Sequence, residues 1–496
     1  MRLVHLVPAG AVLVALGAVA GAAQLGHPAA PGPGAAATAS RQVAVTSAAR
    51  ACPPAPGSGS GPVALIARPA GTGGAPGTAA AGRVELTALP PAGQPVRATG
   101  PVRAQSPGAL TLLTLPAGKA TGTRQTPAAQ GWSVAGGGTM AQGMEAELTQ
   151  NSGLASVRCA EPGSDLWFLG PGQQNGGSRV QLDLMNVDST AASVDVTVIN
   201  DGGQAQAGND NGITVPPHQT VTESLSSVAH GSSVLAIEVH TSIGRVAADV
   251  SVESGGITSW LPGTASPSTQ LVIPGVPPAG STAGLFVADP GISTAKVTVT
   301  AITPQGHIRP FGSQSVDLPG QSASYVALSP LGGTTAALQI TSNVPVAAAV
   351  LVPGSSGPGV LTSATAPISE QAVVAGNTTG GGMAASVILS APGAATRVRL
   401  VEIAPASRGG GTVTASQVVS VKAGRTLAAP VTAPRGTKPG SAFAVVITPL
   451  AGSGPLYAAR VETQDRSTVV SIIPAASALT TISLPPVRDS YDAISP

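Results

Sequence analysis

The residues able to do chemistry are few and scattered: two cysteines, six histidines and 22 carboxylates in a chain of 496 residues. Cys52 and Cys159 lack adjacent histidines with metal-ligand spacing, and no Cys-x-x-Cys occurs, which argues against a metal or redox pair. An even cysteine count in an exported chain most simply forms one disulfide, closing a loop of just over 100 residues. Of the histidines, His5 and His27 fall in the targeting or stalk region, while His218, His230, His240 and His307 show no H-E-x-x-H or i, i+2 relation and read as loop residues. Carboxylates concentrate around 180–255, with Asp183, Asp195, Glu238, Asp249 and Glu253. Two of them facing each other would suit glycosidase chemistry. On alternating strands they read instead as the solvated face. The GNDNG stretch (208–212) offers oxygen groups but lacks the spaced carboxylates and closing Glu of a calcium loop, so its Asn-Gly reads as a hairpin turn. Trp167 and Phe168 are the only adjoining aromatics; they read either as an interaction platform or as an anchor at a module junction. No G-x-S-x-G elbow or P-loop is present, nor a G-x-G-x-x-G after a strand. The sequence therefore supplies no catalytic, cofactor-binding or metal-binding residues.

Composition agrees with that reading. Charged residues make up 9% and aromatics 2%, against 43% for the apolar set, so little material exists for pockets and acid/base groups. The formal charge of +2 excludes a phosphate-binding polycation and hence nucleic acid as a partner. Only Lys119, Lys296, Lys422 and Lys438 are lysines, and the Arg, Ala, Gly and Pro bias points to GC-rich coding of an actinobacterial kind.

The elements that must position these residues are strands. Segment 1–23, with Arg2, an apolar run from Leu6 to Ala23 and an Ala20-Gly21-Ala22 exit, reads as a signal peptide or an uncleaved membrane anchor. Either places the remainder outside the cytoplasmic membrane. Residues 24–41 read as a flexible Ala/Pro/Gly stalk. Short Val/Leu/Thr-rich runs bounded by Gly and Pro then begin, and no window carries a helical stripe, so the expected class is all-β.

Three segments superimpose as repeats. SVDVTVIN (193–200), KVTVTAITP (296–304) and RVRLVEIAP (397–405) place Val196, Val297 and Val398 at steps of 101. Later come ITVPPHQ, VDLPGQS and VSVKAGR, then three late hairpins beginning near 235, 337 and 444. Each unit opens on an apolar strand running into Gly: WFLGPG, LVIPGV and AVVAGN. A period near 100 suits tandem immunoglobulin-like β-sandwiches, with a β-propeller-like single array as the alternative. The expected organisation is a disulfide-closed β module (42–166), sandwiches over 167–270, 271–371 and 372–487, and a tail (488–496). Alternation such as Val194, Val196 and Val198 against Asp195, Thr197 and Ile199 implies one buried face and one wet face.

The run Cys159-Ala160-Glu161-Pro162 followed by Asp165-Leu166-Trp167-Phe168-Leu169-Gly170-Pro171-Gly172, with Cys52-Pro53 upstream, resembles an actinobacterial family of secreted proteins known only as a domain of unknown function. The resemblance spans roughly Gln42 to Val487. It implies an exported, envelope-associated protein, of a family whose genes often lie among cell-surface polysaccharide genes, and it carries over no catalytic residue.

The function expected from all this is non-enzymatic: an envelope scaffold holding an envelope glycan or an envelope protein, without cofactors. A carbohydrate-binding array and a cell-wall glycan-active enzyme are the alternatives.

Overall fold

The computed structural model describes residues 41–54, 62–67, 82–96, 107–115, 130–149, 156–173, 178–205, 212–254, 257–278, 283–310, 315–328, 331, 333–353, 359–406, 413–438, 440–465 and 468–484. The targeting segment, the stalk up to residue 40, most of the GNDNG stretch and the tail lie outside them.

The first strand is β1 (Arg41–Ala44); the N-terminal module comprises β2 (Ser47–Cys52), β3 (Pro62–Ile66), β4 (Val84–Leu89), β5 (Leu110–Thr114), β6 (Gly131–Gly137), β7 (Glu145–Thr149) and β8 (Ser156–Arg158). Its two sheets run β2-β6-β4 and β5-β3-β7-β8. Sandwich 1 follows with β9 (Asp165–Pro171), β10 (Ser178–Met185), β11 (Ala192–Asn200), β12 (Gly203–Ala205), β13 (Ile213–Val215), β14 (Thr220–Ser224), β15 (Val234–Ile243), β16 (Ala247–Ser254), β17 (Ile257–Leu261) and β18 (Gly263–Thr264). Sandwich 2 holds β19 (Ser268–Val276), β20 (Gly284–Asp289), β21 (Ala295–Ile302), β22 (His307–Ile308), β23 (Val316–Leu318), β24 (Ser322–Ala327), β25 (Ala336–Val352) and β26 (Val360–Ser363). Sandwich 3 holds β27 (Ala372–Asn377), β28 (Met383–Ala391), β29 (Thr396–Ile403), β30 (Thr414–Val421), β31 (Arg425–Val431), β32 (Phe443–Pro449), β33 (Tyr457–Gln464) and β34 (Thr468–Pro474). A last strand, β35 (Thr481–Leu484), pairs with β1.

The three sandwiches share one pairing scheme. In sandwich 1 one sheet runs β14-β10-β16-β17, and the other sets β11, β15, β9 and β18 side by side, with β12 and β13 both on the outer edge of β11. Sandwich 3 repeats this as β31-β28-β33-β34 and β27-β32-β29-β30. The second strand pairs with the fifth and the third with the sixth, as in immunoglobulin-type sandwiches, whereas the first and last strands take different edges.

Two local expectations change. The late segments are not hairpins: β15 pairs with β9 and β11, whereas β16 pairs with β10 and β17 in the facing sheet. Sandwich 2 makes the crossing as one 17-residue strand, in which Ala336–Val346 joins β19 and β21 while Ala347–Val352 joins β20 and β26. The second half is apolar and almost wholly buried, so it lies in a sheet covered on both faces, whereas the first half alternates and leaves Thr341, Asn343 and Pro345 exposed. Nor do the strands flanking GNDNG pair with each other. Both run along β11, and the tight turn lies at Asp201-Gly202, between β11 and β12.

The sheets also pack outward, which overturns the expected wet face over much of the fold. The first core joins both sheets of sandwich 1 and continues into Phe286, Ala288, Ala323, Ala349 and Leu361 of sandwich 2. The second joins the sheets of sandwich 2 and continues into Ile388, Ala459, Val461 and Ile472 of sandwich 3. The far sheet of sandwich 3 meets Ala64, Ile66 and Leu110 of the N-terminal module. The module's other sheet meets sandwich 1 through Ala51, Leu89, Met185 and Ala247. The packing is therefore a closed cycle of four two-sheet units. The cycle is not made of propeller blades, because the strands of each repeat alternate between two sheets. Alanine recurs at every joint beside larger apolar residues, and each fully buried Val or Leu adds about 1.5 to 3 kcal/mol.

Candidate functional site

Cys52 ends β2 and Cys159 follows β8, so their disulfide links the module's two sheets, one facing sandwich 1 and the other facing sandwich 3. Both cysteines are fully buried, and an antiparallel bridge between Ala51 and Ala160 runs alongside them.

Trp167 and Phe168 both lie on β9 and are buried. The Trp167 indole donates to Asp165 Oδ1 at 3.0 Å, and Phe168 belongs to the core of sandwich 1, so neither presents an open stacking surface. They anchor the strand that follows the module.

The carboxylates separate into three environments. Glu253 is partly exposed, 3.7 Å from Arg179. Glu238 sits beside Trp167 and Thr197 in the ladder, and the neighbouring row sets His240 between Asp165 and Asp195. Burial and the Asp165 charge raise the Glu238 carboxyl, while His240 draws it back. Asp183 and Asp249 form the third environment. They face each other directly across β10 and β16, and both are buried, not solvated. Their face of the sheet is the one that Met185 and Ala247 press against the module. Burial pushes Asp183 up to about 6 despite a 2.6 Å hydrogen bond from Thr222. Burial together with the Asp183 charge raises Asp249 well above the usual range, and its Oδ2 has no hydrogen-bond partner. Two like charges so close and shielded from solvent disfavour each other, which is the direction in which both carboxyls move. Both side chains are buried, so they do not line an open cleft.

Sequence reading missed the second joint. Glu147 of β7 receives a hydrogen bond from Arg460 Nη1 of β33, and its other oxygen accepts from the Gly376 N–H at 3.0 Å. Arg460 also donates to the Gly376 carbonyl at 3.0 Å and to Ser471 at 2.8 Å, and lies 3.7 Å from Glu462. Glu462 in turn accepts from the Thr378 N–H at 2.6 Å. Burial would lower the Arg460 guanidinium, but Glu147 and Glu462 raise it. Gly376 permits the approach, since a Cβ there would stand 2.8 Å from Glu147 Oε1. Inside the module Glu145 is paired with Arg158 and lies 3.6 Å from Arg50; burial raises its carboxyl, and the two arginines more than reverse that. In a chain this poor in charge, Glu145 and Glu147 within MEAEL and Arg460 within YAARV were the available signal.

Among the described residues, which include His218, His230, His240 and His307, no group of three His, Cys, Asp or Glu could hold a metal. Asn377, which opens an Asn-Thr-Thr sequon, is buried with its amide donating to the Val374 and Phe443 carbonyls.

A family model described as a family of unknown function (DUF5719) matches residues 117–432, well over half of the chain. The chain belongs to this family. In this DUF5719 chain the match takes in the latter part of the N-terminal module, sandwiches 1 and 2, and sandwich 3 as far as β31. A search of curated proteins finds no match. Among the described residues no helix is long and apolar enough to cross a membrane, and the disulfide is consistent with an extracellular location.

Proposed function

We propose that this protein is a non-enzymatic scaffold of the cell envelope, exported by its N-terminal segment and acting by presenting the surfaces of four linked β units to an envelope partner. The observation that carries this reading is the use made of the buried charges. Glu147, Arg460 and Glu462, and likewise Glu145 and Arg158, are spent on one another and on backbone groups at joints between or within units. A catalytic site needs such groups converging on a reacting atom in a reachable cleft. The stacking array of a carbohydrate-binding protein is weighed down by the aromatics: Trp132, Trp167 and Trp260 are all buried. Actinobacterial origin and immunoglobulin-like ancestry of the repeats belong to the same proposal.

The test has two arms. Crosslinking in intact cells followed by mass spectrometry is expected to return a fixed set of envelope neighbours. Incubation of the purified chain with cell-wall glycan is expected to release no new reducing ends or peptides; turnover there would overturn the reading.

A further inference from the structure

We infer that β30 is a docking edge for an extended acidic peptide segment of a partner protein, which adds to sandwich 3 as a further strand. This rests on the scaffold reading and names its partner chemistry.

An edge strand exposes a row of unpaired N–H and C=O groups, and native proteins blunt such edges by shortening them, by charge, by proline or by covering them. Three of those devices appear in this chain. At the position equivalent to β30, sandwich 1 has the three-residue strands β12 and β13, and sandwich 2 has β22 and β23, of two and three residues. The neighbouring edge strand β31 carries Pro430. Strand β24, at the edge of its sheet, packs against β11, β12 and β15 of sandwich 1. Strand β30 has none of them: it runs eight residues as TASQVVSV, without charge or proline, and ends its sheet. Among the described residues its backbone bonds run to β29, and the amide of Gln417 makes the side-chain bonds, to Glu402 and Pro430.

The surrounding charge selects the occupant. On the outward face, Ser416, Val418 and Ser420 are exposed, and Arg397 and Arg399 of β29 lie opposite Ser420 and Val418. Lys422 follows the strand and is exposed. The one acid on β29 and β30, Glu402, is buried. An added strand that alternates apolar residues with carboxylates meets Val418 and the reach of these arginines on one face, and main-chain bonds supply the rest, as in other strand-addition complexes. A second copy paired through its own β30 would instead set two further arginines on that face with no acid to meet them.

The test uses the full chain and two labelled octapeptides, one alternating glutamate with valine and one alternating lysine with valine. The acidic peptide is expected to bind at least tenfold tighter by fluorescence anisotropy and to slow amide exchange at alternate positions within 414–421. The double variant Arg397→Glu, Arg399→Glu is expected to reverse the order of the two peptides. Prolines at Val418 and Val419 serve as a matched pair, because in an antiparallel ladder one of two adjacent residues bonds inward and the other outward. The variant that keeps its melting temperature is expected to lose the acidic peptide. Equal binding of both peptides, protection outside 414–421, or a concentration-dependent dimer with β30 protected would each overturn the inference. Those results leave the scaffold reading standing, whereas glycan turnover ends that reading and leaves the peptide result in place.

Discussion

The N-terminal module closes the cycle through two joints of opposite electrostatic design. Against sandwich 3 it buries a charge with its partners: Glu147 meets Arg460, the Gly376 backbone completes both, and Ser471 and Glu462 surround the guanidinium. Against sandwich 1 lie two buried like groups, Asp183 and Asp249, of which Asp183 accepts from the Thr222 hydroxyl while Asp249 Oδ2 has no partner. The first joint fixes a register, because every bond in it has a direction. The second combines the apolar contacts of Ala51, Leu89, Met185 and Ala247 with hydrogen bonds between Thr220 or Gln219 and the 89–94 segment, and the two buried carboxyls lie beside them. The joints thus differ in how buried charge is handled, met by a cation against sandwich 3 and left as a like pair against sandwich 1.

The largest effect is expected from breaking the joint against sandwich 3. Arg460→Ala strands Glu147 and Glu462 without their cation, and loss of one partner of a buried pair costs about 3 to 5 kcal/mol. The double change Arg460→Met, Glu147→Leu removes both charges and is expected to recover most of that loss. Urea unfolding measures both; a single variant within about 1 kcal/mol of the parent would remove the distinction between the joints. Next comes the disulfide. Because it ties the sheet of one joint to the sheet of the other, Cys52→Ser with Cys159→Ser is expected to cost about 2 to 5 kcal/mol and to raise amide exchange at both joints together. Exchange that rises at one joint alone would show that the bridge does not couple them.

What the sequence disclosed and what it withheld divide by range. SVDVTVIN became β11, and the repeat step of 101 carried over to β21 and β29, because alternation of apolar residues is a property of a single strand. Cys52 and Cys159 were readable because there were no other cysteines to choose. The crossing from β15 to β16 was not readable: Ile243-Gly244 serves a hairpin and a change of sheet equally well, and which one forms depends on the sheets already present. Glu147 and Arg460 stand 313 residues apart, and no local pattern links them. For Asp183 and Asp249, alternation named the correct face of the sheet. It could not say that the module covers that face.

That covered face gives the smallest and most specific prediction, a pH dependence confined to one joint. Both aspartates have folded-state values above the ordinary 3.8, so the folded protein binds more protons than the unfolded chain once the pH exceeds that value. The stability associated with the neutral pair is complete below about pH 3.8 and is lost as the pH rises through about 6, the Asp183 value, and onward as Asp249 ionises. Moving one carboxyl from 3.8 to about 6 corresponds to about 3 kcal/mol between its two protonation states. Asp249→Asn removes the like charge and gives Asp183 a neutral neighbour able to donate a hydrogen bond. It is therefore expected to gain about 1 to 3 kcal/mol over the parent at pH 8 and almost nothing at pH 4. Glu462 and Glu402 are also raised and contribute slopes of the same sign, so the informative quantity is the difference between variant and parent across that window. Parallel profiles would mean that water or the module already neutralises the pair. A gap that opens only above about pH 5, with amide exchange rising first around Ala51, Leu89 and Ala247, would identify this joint as the place where the cycle opens.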